Sequence, residues 1–368
     1  MRGKVPASRL VVGLTVAAIL AGCAAGATVA PPSASRAPAT ATSGAAIASV
    51  PSSPTASPTS AAAASPPQTQ IPTIGAPADD GARTTAVATV DARTRDLTIE
   101  SPAVGVVKVR LLLPTRFEAQ PKTRWPVLYL LHPAMQTHGF WTSSTDVAAL
   151  TAPTGLLVVM PDGGDWGNYT DWWNGGQGGP PKWETFHLVE LRQLLERNWQ
   201  AGERRAVAGA SMGGLGAMAY AARQPGTFLA AASYSGGLDL LGGAAFLTRL
   251  MAAFDASPTP IWGDPVAQAD VWLAHDPIVL APALEGTQLF VSYGDGTPGP
   301  LEVSASPNLD PTGEAEAGIA IQNRTFVQRL GQLKIPATVD AYAGTHNIVY
   351  WERALHRSLP LLVRAVGG

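Results

Sequence analysis

A serine in a glycine-rich turn is the residue of this 368-residue chain that most directly suggests chemistry. Ser211 stands in a Gly-x-Ser-x-Gly pattern, between a short apolar run that predicts a strand and a run that predicts a helix. Such a strand-to-helix turn exposes the serine hydroxyl, and the helix N-terminus behind it favours negative charge. Gly209 and Gly213 remove side chains that would clash across the turn. The pattern predicts that Ser211 is a nucleophile, and its alternative interpretation is an ordinary glycine-rich turn.

A serine hydroxyl is a poor nucleophile unless a base lies beside it. Of the six histidines, His346 is the one that follows the last predicted strand, where the base stands in enzymes with such an elbow. The acid that would orient this base has two candidates. Asp295 follows the penultimate strand in a Gly-Asp-Gly turn, which is also an ordinary turn sequence. Glu316 lies in the first turn of the next predicted helix, where an acidic residue is favourable in any case.

The elements that would position these residues alternate along the chain. Apolar runs predict strands at 96–100, 106–113, 126–131, 156–160, 205–208, 228–233, 288–293 and 337–342. Amphipathic runs predict helices at 183–199, 215–223, 314–333 and 351–364. This alternation predicts an α/β fold with a mostly parallel central sheet and helices on both faces. The stretch 238–274 has helical patches without a clear strand, and we interpret it as an insertion over the top of the sheet.

The N-terminus has the pattern of an export signal. Basic residues precede an uncharged, mostly apolar run at 10–20, which is typical of a signal peptide and too short to cross a hydrocarbon layer of about 30 Å. The stretch 20–23 (Leu-Ala-Gly-Cys) resembles a bacterial lipobox. That resemblance implies cleavage before Cys23 and lipidation of its thiol. We therefore predict a lipoprotein signal peptide at 1–22, with an ordinary cleaved signal as the alternative.

Composition divides the rest of the chain in two. Residues 23–83 consist almost entirely of Ala, Pro, Ser and Thr and predict a disordered tether. Residues 84–368 can form one large domain. The formal net charge of −2 argues against a nucleic-acid binder. The single cysteine excludes an internal disulfide framework and a multi-cysteine metal site, and we expect neither a metal nor an organic cofactor.

From about Asp96 to the C-terminus, a series of motifs resembles the esterase family of α/β-hydrolases and, within it, the mycolyltransferase (antigen 85) branch. The motifs are Asn168-Tyr169-Thr170-Asp171-Trp172, Lys182-Trp183-Glu184-Thr185-Phe186, Ser211-Met212, His275-Asp276-Pro277, Gly294-Asp295-Gly296-Thr297-Pro298, Asn323-Arg324-Thr325-Phe326 and Gly344-Thr345-His346. The resemblance implies the α/β-hydrolase fold. It also implies a triad of Ser211, Glu316 and His346, because Glu316 precedes Asn323 by the family's spacing, with Asp295 as the alternative acid.

The same resemblance implies an oxyanion hole made by the backbone N–H groups of Met212 and Ala134. The chain departs from the branch beside that hole. Where the mycolyltransferases have Asp-Gly-Leu-Arg, the stretch 132–135 reads His-Pro-Ala-Met, and the pair Leu131-His132 resembles general esterases instead. After the base, Asn347-Ile348 replaces the branch's Ser-Trp. The fold and triad are therefore better supported by the resemblance than mycolyl transfer is.

Five aromatic residues surround the glycine-rich stretch 175–179, and they are Trp166, Tyr169, Trp172, Trp173 and Trp183. Tyr169, Trp172 and Trp173, together with His132, are candidate substrate-binding residues that would form a wall for a sugar or an acyl chain. The alternative interpretation is that these rings pack the loop onto the sheet.

Together these features predict an envelope-anchored serine esterase that acts on carboxylic esters through an acyl-serine intermediate. One alternative is an acyltransferase that moves a mycolyl-like acyl group to a sugar or glycerol acceptor. Another is a non-catalytic envelope-binding lipoprotein on an esterase scaffold. The expected partners are an acyl ester, a sugar acceptor in the transfer case, and the membrane through Cys23. The expected location is the outer face of the cell membrane or the cell wall, with secretion as the alternative.

Overall fold

The computed structural model describes residues 74–302, 310 and 312–367. The predicted signal peptide, Cys23 and most of the predicted tether lie outside these residues. Within them a nine-stranded sheet has the order β1-β2-β3-β5-β4-β6-β7-β8-β9. The strands are β1 (Arg83–Thr89), β2 (Thr94–Ser101), β3 (Gly105–Leu112), β4 (Trp125–Leu131), β5 (Leu157–Pro161), β6 (Ala201–Ala210), β7 (Ala230–Tyr234), β8 (Gln288–Gly294) and β9 (Ala337–Tyr342).

The sheet is mostly parallel, as predicted. Strands β5, β4, β6, β7, β8 and β9 pair in parallel, and the antiparallel strands β1, β2 and β3 extend the β5 edge. The eight predicted strands correspond to β2–β9. Strand β1 was not predicted, because most of its side chains are exposed or half-buried and give little apolar pattern. The carboxyl ends of the parallel strands meet at one edge, where ligands bind in sheets of this kind.

Helices cover both faces of the sheet. They are α1 (Phe140–Ser144), α2 (Val147–Thr151), α3 (Trp183–Thr185), α4 (Arg192–Asn198), α5 (Met212–Arg223), α6 (Ala244–Ala252), α7 (Thr259–Trp262), α8 (Ala269–Leu273), α9 (Pro277–Leu280), α10 (Glu314–Leu333) and α11 (Ile348–Val366). A π-helical turn (Phe186–Leu191) joins α3 to α4, and 3₁₀ turns occur at Asn174–Gly176 and Ala281–Leu284. Helices α6–α8 form the predicted insertion. Among the helices of the described residues, none has both the length and the apolar character needed to cross a bilayer.

Alternation along each buried strand explains the unbroken apolar runs in the sequence. In β4, Tyr129 and Leu131 belong to the core on the α4, α5 and α10 side. Leu128 and Leu130 belong to the core under α1, α2 and α11. A strand covered by helices on both faces has no solvent side, so every position selects an apolar residue.

The packed part of the chain begins before the predicted boundary at residue 84. Ala78 and Ala82 are buried, and Asp79 forms an ion pair with Arg197 on α4. The domain therefore includes residues from 74 onward, and the tether prediction at 74–83 requires correction. Composition missed this contact because the buried apolar residues of the segment, Ala78 and Ala82, are small and form no hydrophobic run.

A buried carboxylate lies next to this N-terminal segment. Glu190, on the π-helical turn, is fully buried and accepts hydrogen bonds from the Ser101 hydroxyl and from the Ala103 N–H at 3.0 Å. Burial, with a further contribution from Asp80, raises the pKa of Glu190 from 4.5 to about 7. A carboxyl whose pKa is higher in the folded state contributes stability below pH 4.5 that is lost as the pH rises through about 7.

Replacing Glu190 with glutamine should therefore change the pH dependence of stability. The variant lacks the titrating group, so the Tm of the wild type minus that of the variant should fall between pH 5 and pH 8. Each kcal/mol corresponds to about 2–4 °C in a domain of this size. Thermal unfolding at both pH values measures this change. A Tm difference that is equal at pH 5 and pH 8 would contradict a raised pKa at Glu190.

Candidate active site

Ser211 lies in a strained turn between β6 and α5. Its backbone has φ 54° and ψ −118°, in the half of conformational space that non-glycine residues rarely adopt. The two flanking glycines are required by close approach. A Cβ at Gly209 would lie 2.3 Å from the Gly213 carbonyl oxygen, and a Cβ at Gly213 would lie 2.5 Å from the Leu131 carbonyl oxygen. This turn places the Ser211 hydroxyl at the carboxyl edge of the sheet and at the N-terminus of α5.

His346 contacts both Ser211 and Glu316. It lies in the loop between β9 and α11, where its Nε2 is 2.9 Å from Ser211 Oγ and its Nδ1 is 2.6 Å from Glu316 Oε2. The carboxylate can only accept, so the proton is assigned to Nδ1 and Nε2 is left to accept from the serine. The edge-to-face ring of Trp351, with its centroid 4.9 Å away, supports the imidazole.

Glu316 is held from several directions in the first turn of α10. Its side chain is fully buried, and its Oε1 accepts from the Ser235 hydroxyl at 2.7 Å and from the Gly294 N–H at 2.6 Å. With Oε2 on His346, both carboxylate oxygens are satisfied, as a buried charge requires. Sequence reasoning did not find Ser235, because a serine at a strand end carries no distinguishing signal.

Asp295, the alternative acid, faces away from this arrangement. Its carboxylate is exposed and accepts from the Thr297 hydroxyl at 2.6 Å and the Thr297 N–H at 2.8 Å. These hydrogen bonds lower the pKa of Asp295. Between the two candidate acids, the geometry therefore places Glu316 against His346 and leaves Asp295 as a turn residue.

Met212 and Ala134 line the same cavity as Ser211. Met212 is the first residue of α5, and an N–H at that position has no partner within its own helix. Ala134 follows β4 in the loop 132–135. The Met135 N–H donates to the Asp165 carbonyl at 2.9 Å and so fixes this loop.

His132 and Tyr169, predicted to bind substrate, instead support that loop from behind. His132 is 1% exposed. Its Nε2 accepts from the Gly163 N–H at 2.8 Å, and its Nδ1 is 2.8 Å from the Pro133 carbonyl. Burial lowers the pKa of His132, which favours the neutral ring. The Tyr169 hydroxyl donates to the His132 carbonyl at 2.9 Å. Both predictions are wrong because both side chains are already engaged in the interior.

Trp172 and Trp173 also lie outside the cavity lining. The Trp172 Nε1–H donates to the Gly167 carbonyl at 3.3 Å, and its ring packs against the small core of the insertion, which includes Trp262 and Trp272. The Trp173 N–H donates to the Ile261 carbonyl at 2.9 Å. Trp172 therefore packs within the insertion, as the alternative interpretation holds. Trp166, another aromatic residue near the glycine-rich stretch, does line the cavity.

The cavity above Ser211 has a volume of about 220 Å³. Ser211 and His346 line it together with Gln136, Asn168 and Gln322, and none of the described lining residues is Asp, Glu, Lys or Arg. The larger apolar side chains of its wall are Met135, Trp166, Leu215, Leu240, Phe246, Leu247, Leu250, Phe254, Ile319 and Trp351. Leu247, Leu250 and Phe254 recur at helical spacing along α6 and just after it. This spacing is a sequence signal that could have indicated their shared position in the wall.

The described residues contain one group with metal-ligating side chains, Asp146, Glu352 and His356. It lies on the surface where the start of α2 meets α11. His356 Nε2 is 2.8 Å from Asp146 Oδ1, and Glu352 accepts from the Asp146 N–H at 3.0 Å. These contacts dock one helix on the other and are separate from the cavity.

The family model described as "Putative esterase" matches residues 104–362. The esterase Rv1288 of Mycobacterium tuberculosis is 32% identical over 246 residues, which cover 65% of this chain and 52% of that protein. The chain thus spans about half the length of this curated relative. The diacylglycerol acyltransferase/mycolyltransferase Ag85B of Mycolicibacterium smegmatis is 31% identical over 245 residues, 62% of this chain and 72% of that protein.

Among solved structures, MPT51 (FbpC1) of Mycobacterium tuberculosis aligns with a TM-score of 0.63 and 26% identity, over 75% of this chain and 100% of that one. The family match covers more than half of the chain, and Ag85B shares most of its own length with it. The protein therefore belongs to the esterase family of α/β-hydrolase-fold enzymes, whose members are hydrolases and acyltransferases.

Proposed function

We propose that this protein is a serine esterase that hydrolyses carboxylic esters with an apolar acyl chain through an acyl-serine intermediate. The observation that carries the proposal is the hydrogen-bonded series Ser211–His346–Glu316 at the wall of an apolar cavity. The nucleophile lies within reach of its base, and the base is oriented by a third group. The cavity can remove an acyl chain from water at about 25 cal/mol per Å² of apolar surface.

In the proposed mechanism, His346 Nε2 accepts the Ser211 proton as Oγ attacks the ester carbonyl. Glu316 holds the Nδ1–H and stabilises the imidazolium that forms. The Met212 and Ala134 N–H groups stabilise the oxyanion of the tetrahedral intermediate, and loss of one such donor costs about 10²–10³ in kcat. His346 then returns the proton to the leaving alcohol, which leaves an acyl-Ser211 ester. Water attacks this ester in a second, equivalent half-reaction.

Acyl transfer is the second candidate, and the similarity to Ag85B supports it. Transfer differs from hydrolysis only in the nucleophile that reaches the acyl-enzyme. No described residue of the cavity lining is Asp, Glu, Lys or Arg, and the stretch 132–135 reads His-Pro-Ala-Met. Both features favour water over a sugar that would need a charged pair for orientation.

Mass spectrometry of the products separates the two reactions. The full chain is incubated with a decanoyl ester, with and without trehalose. We expect free decanoic acid, formed at the same rate in both reactions. Decanoyl-trehalose formed at the expense of the acid would show that transfer is the correct assignment.

We also propose export and anchoring at the outer face of the membrane through a lipidated Cys23. The support is the order of basic residues, apolar run and lipobox-like stretch at 20–23, because several acyl chains would give stable membrane binding. Fractionation tests the proposal by comparing the wild type with Cys23→Ala. A variant that stays in the membrane pellet like the wild type would contradict it.

A further inference from the structure

Gln322 brings an unpaired amide to the wall of an otherwise apolar region. It lies on α10 with Ala315 and Ile319, which line the cavity from the same face of the helix. The Gln322 side chain is 7% exposed, and within the described part of the chain its amide forms no hydrogen bond. A buried amide without a partner costs about 1–3 kcal/mol. This cost is recovered when a ligand with a matching polar group binds.

Two glycines make room for this amide. A Cβ at Gly243 would lie 2.8 Å from Gln322 Oε1, and a Cβ at Gly237 would lie 3.2 Å from the same atom. The wall residues Leu240 and Leu247 are apolar and offer neither a donor nor an acceptor. The amide oxygen of Gln322 therefore lies beside the backbone of two glycines that line the same cavity, where a polar group of a ligand could pair with the amide.

The position of Gln322 along α10 sets where on the substrate it acts. Ala315 is adjacent to Glu316, which contacts His346. Gln322 is seven positions beyond Ala315, which corresponds to a rise of about 10 Å at 1.5 Å per residue. An acyl chain that starts at Ser211 and follows this helix face would reach Gln322 well beyond its first carbons. A substituent next to the ester carbonyl would lie too close to the triad to reach it.

We propose that Gln322 is a specificity-determining residue that selects acyl chains with a hydroxyl group well beyond the ester carbonyl, at a distance comparable to the rise of about 10 Å between Ala315 and Gln322 along α10. A hydroxyl both donates and accepts, so it can use the Oε1 and the Nε2–H of one amide together. This proposal rests on the proposed esterase function, because it names the substrate class of the same site.

Hydrolysis of three nitrophenyl esters by the full chain tests this assignment: dodecanoate, 3-hydroxydodecanoate and 9-hydroxydodecanoate. The wild type should hydrolyse the 9-hydroxy ester with a kcat/KM roughly 2–10-fold above that of dodecanoate, which is the range of one net hydrogen bond. Gln322→Met keeps the side-chain length and removes the amide, so it should lose or invert this preference. The kcat/KM for the 3-hydroxy ester, relative to that for dodecanoate, should be the same in Gln322→Met as in the wild type.

Gln136→Met is the matched control, because Gln136 lines the same cavity outside α10, and it should retain the preference. A wild type without preference for the 9-hydroxy ester would overturn the proposal. So would a preference that persists in Gln322→Met or disappears equally in Gln136→Met.

A binding measurement separates this proposal from the esterase function itself. In Ser211→Ala, which cannot form the acyl-enzyme, titration with dodecanoic and 9-hydroxydodecanoic acids can be followed by tryptophan fluorescence, since Trp166 and Trp351 line the cavity. The proposal is supported if Ser211→Ala binds the hydroxy acid more tightly than dodecanoic acid and this difference is lost when Gln322→Met is added. This outcome counts even if the wild type hydrolyses no ester. Equal affinity for the two acids overturns it even if hydrolysis is fast.

Discussion

Replacing Ser211 with alanine should lower kcat for ester hydrolysis by roughly 10⁶-fold, the size of the loss when the nucleophile of a serine triad is removed. The reason is that no other hydroxyl replaces Oγ 2.9 Å from His346 Nε2 in the described residues. The residual rate would come from the oxyanion hole and substrate binding alone. The fold should survive, because alanine is no larger than serine and the substitution leaves the close contacts of the flanking glycines unchanged.

Ser233→Ala is the matched control for this substitution. Ser233 lies on the adjacent strand β7 and is fully buried, and its Oγ has no hydrogen-bond partner among the residues that the structure describes. Its loss should change kcat by no more than a few fold. Steady-state hydrolysis of a decanoyl ester measures both variants. Comparable losses in Ser211→Ala and Ser233→Ala would point to a general structural effect and against a nucleophilic role for Ser211.

The second large effect is expected at Glu316. Glu316→Gln keeps the size of the side chain but removes the charge that stabilises the imidazolium, and the amide can present an N–H to His346 Nδ1. In that arrangement the imidazole must carry its proton on Nε2, the wrong tautomer for accepting from Ser211. A comparable substitution in a serine triad lowers kcat by about 10⁴-fold. We expect a loss of roughly 10³–10⁴-fold here, with little change in KM.

Asp295→Asn provides the comparison within the same experiment. Asp295 is exposed and accepts hydrogen bonds from Thr297. The kcat of Asp295→Asn should therefore stay within about twofold of the wild type, as for substitution of a surface residue. Measuring kcat and KM for both variants tests the assignment of the acid. A larger loss in Asp295→Asn than in Glu316→Gln would reverse it.

The positions of Ser211 and His346 could be predicted because the signals that place them are local. Ser211 is defined by the strand before it, the helix after it and the glycines at 209 and 213, and His346 by its place after the last strand. Both are where those signals placed them. The acid could not be assigned from the residues alone, since Asp295 and Glu316 both follow the same strand. Their distance from His346 depends on how α10 returns over the sheet.

Most of the cavity wall could not be predicted, for a different reason. Tyr169 and Trp172 are near each other in sequence, but neither ring is left to line the cavity. Tyr169 packs behind the loop that contains Ala134, and Trp172 packs against the insertion. Phe246 and Phe254, in and just after α6, reach the cavity from a segment far along the chain. Aromatic content shows that apolar surface must be covered. Which rings remain for a ligand depends on long-range packing that no local pattern contains.

Labelling with a fluorophosphonate probe tests the central claim most directly. The full chain is treated with the probe, digested, and its peptides mapped by mass spectrometry. We expect one adduct, on Ser211, that forms much more slowly in Glu316→Gln and is absent in Ser211→Ala. No adduct in the wild type, or an adduct on another residue that persists in Ser211→Ala, would contradict the claim that Ser211 is the activated nucleophile.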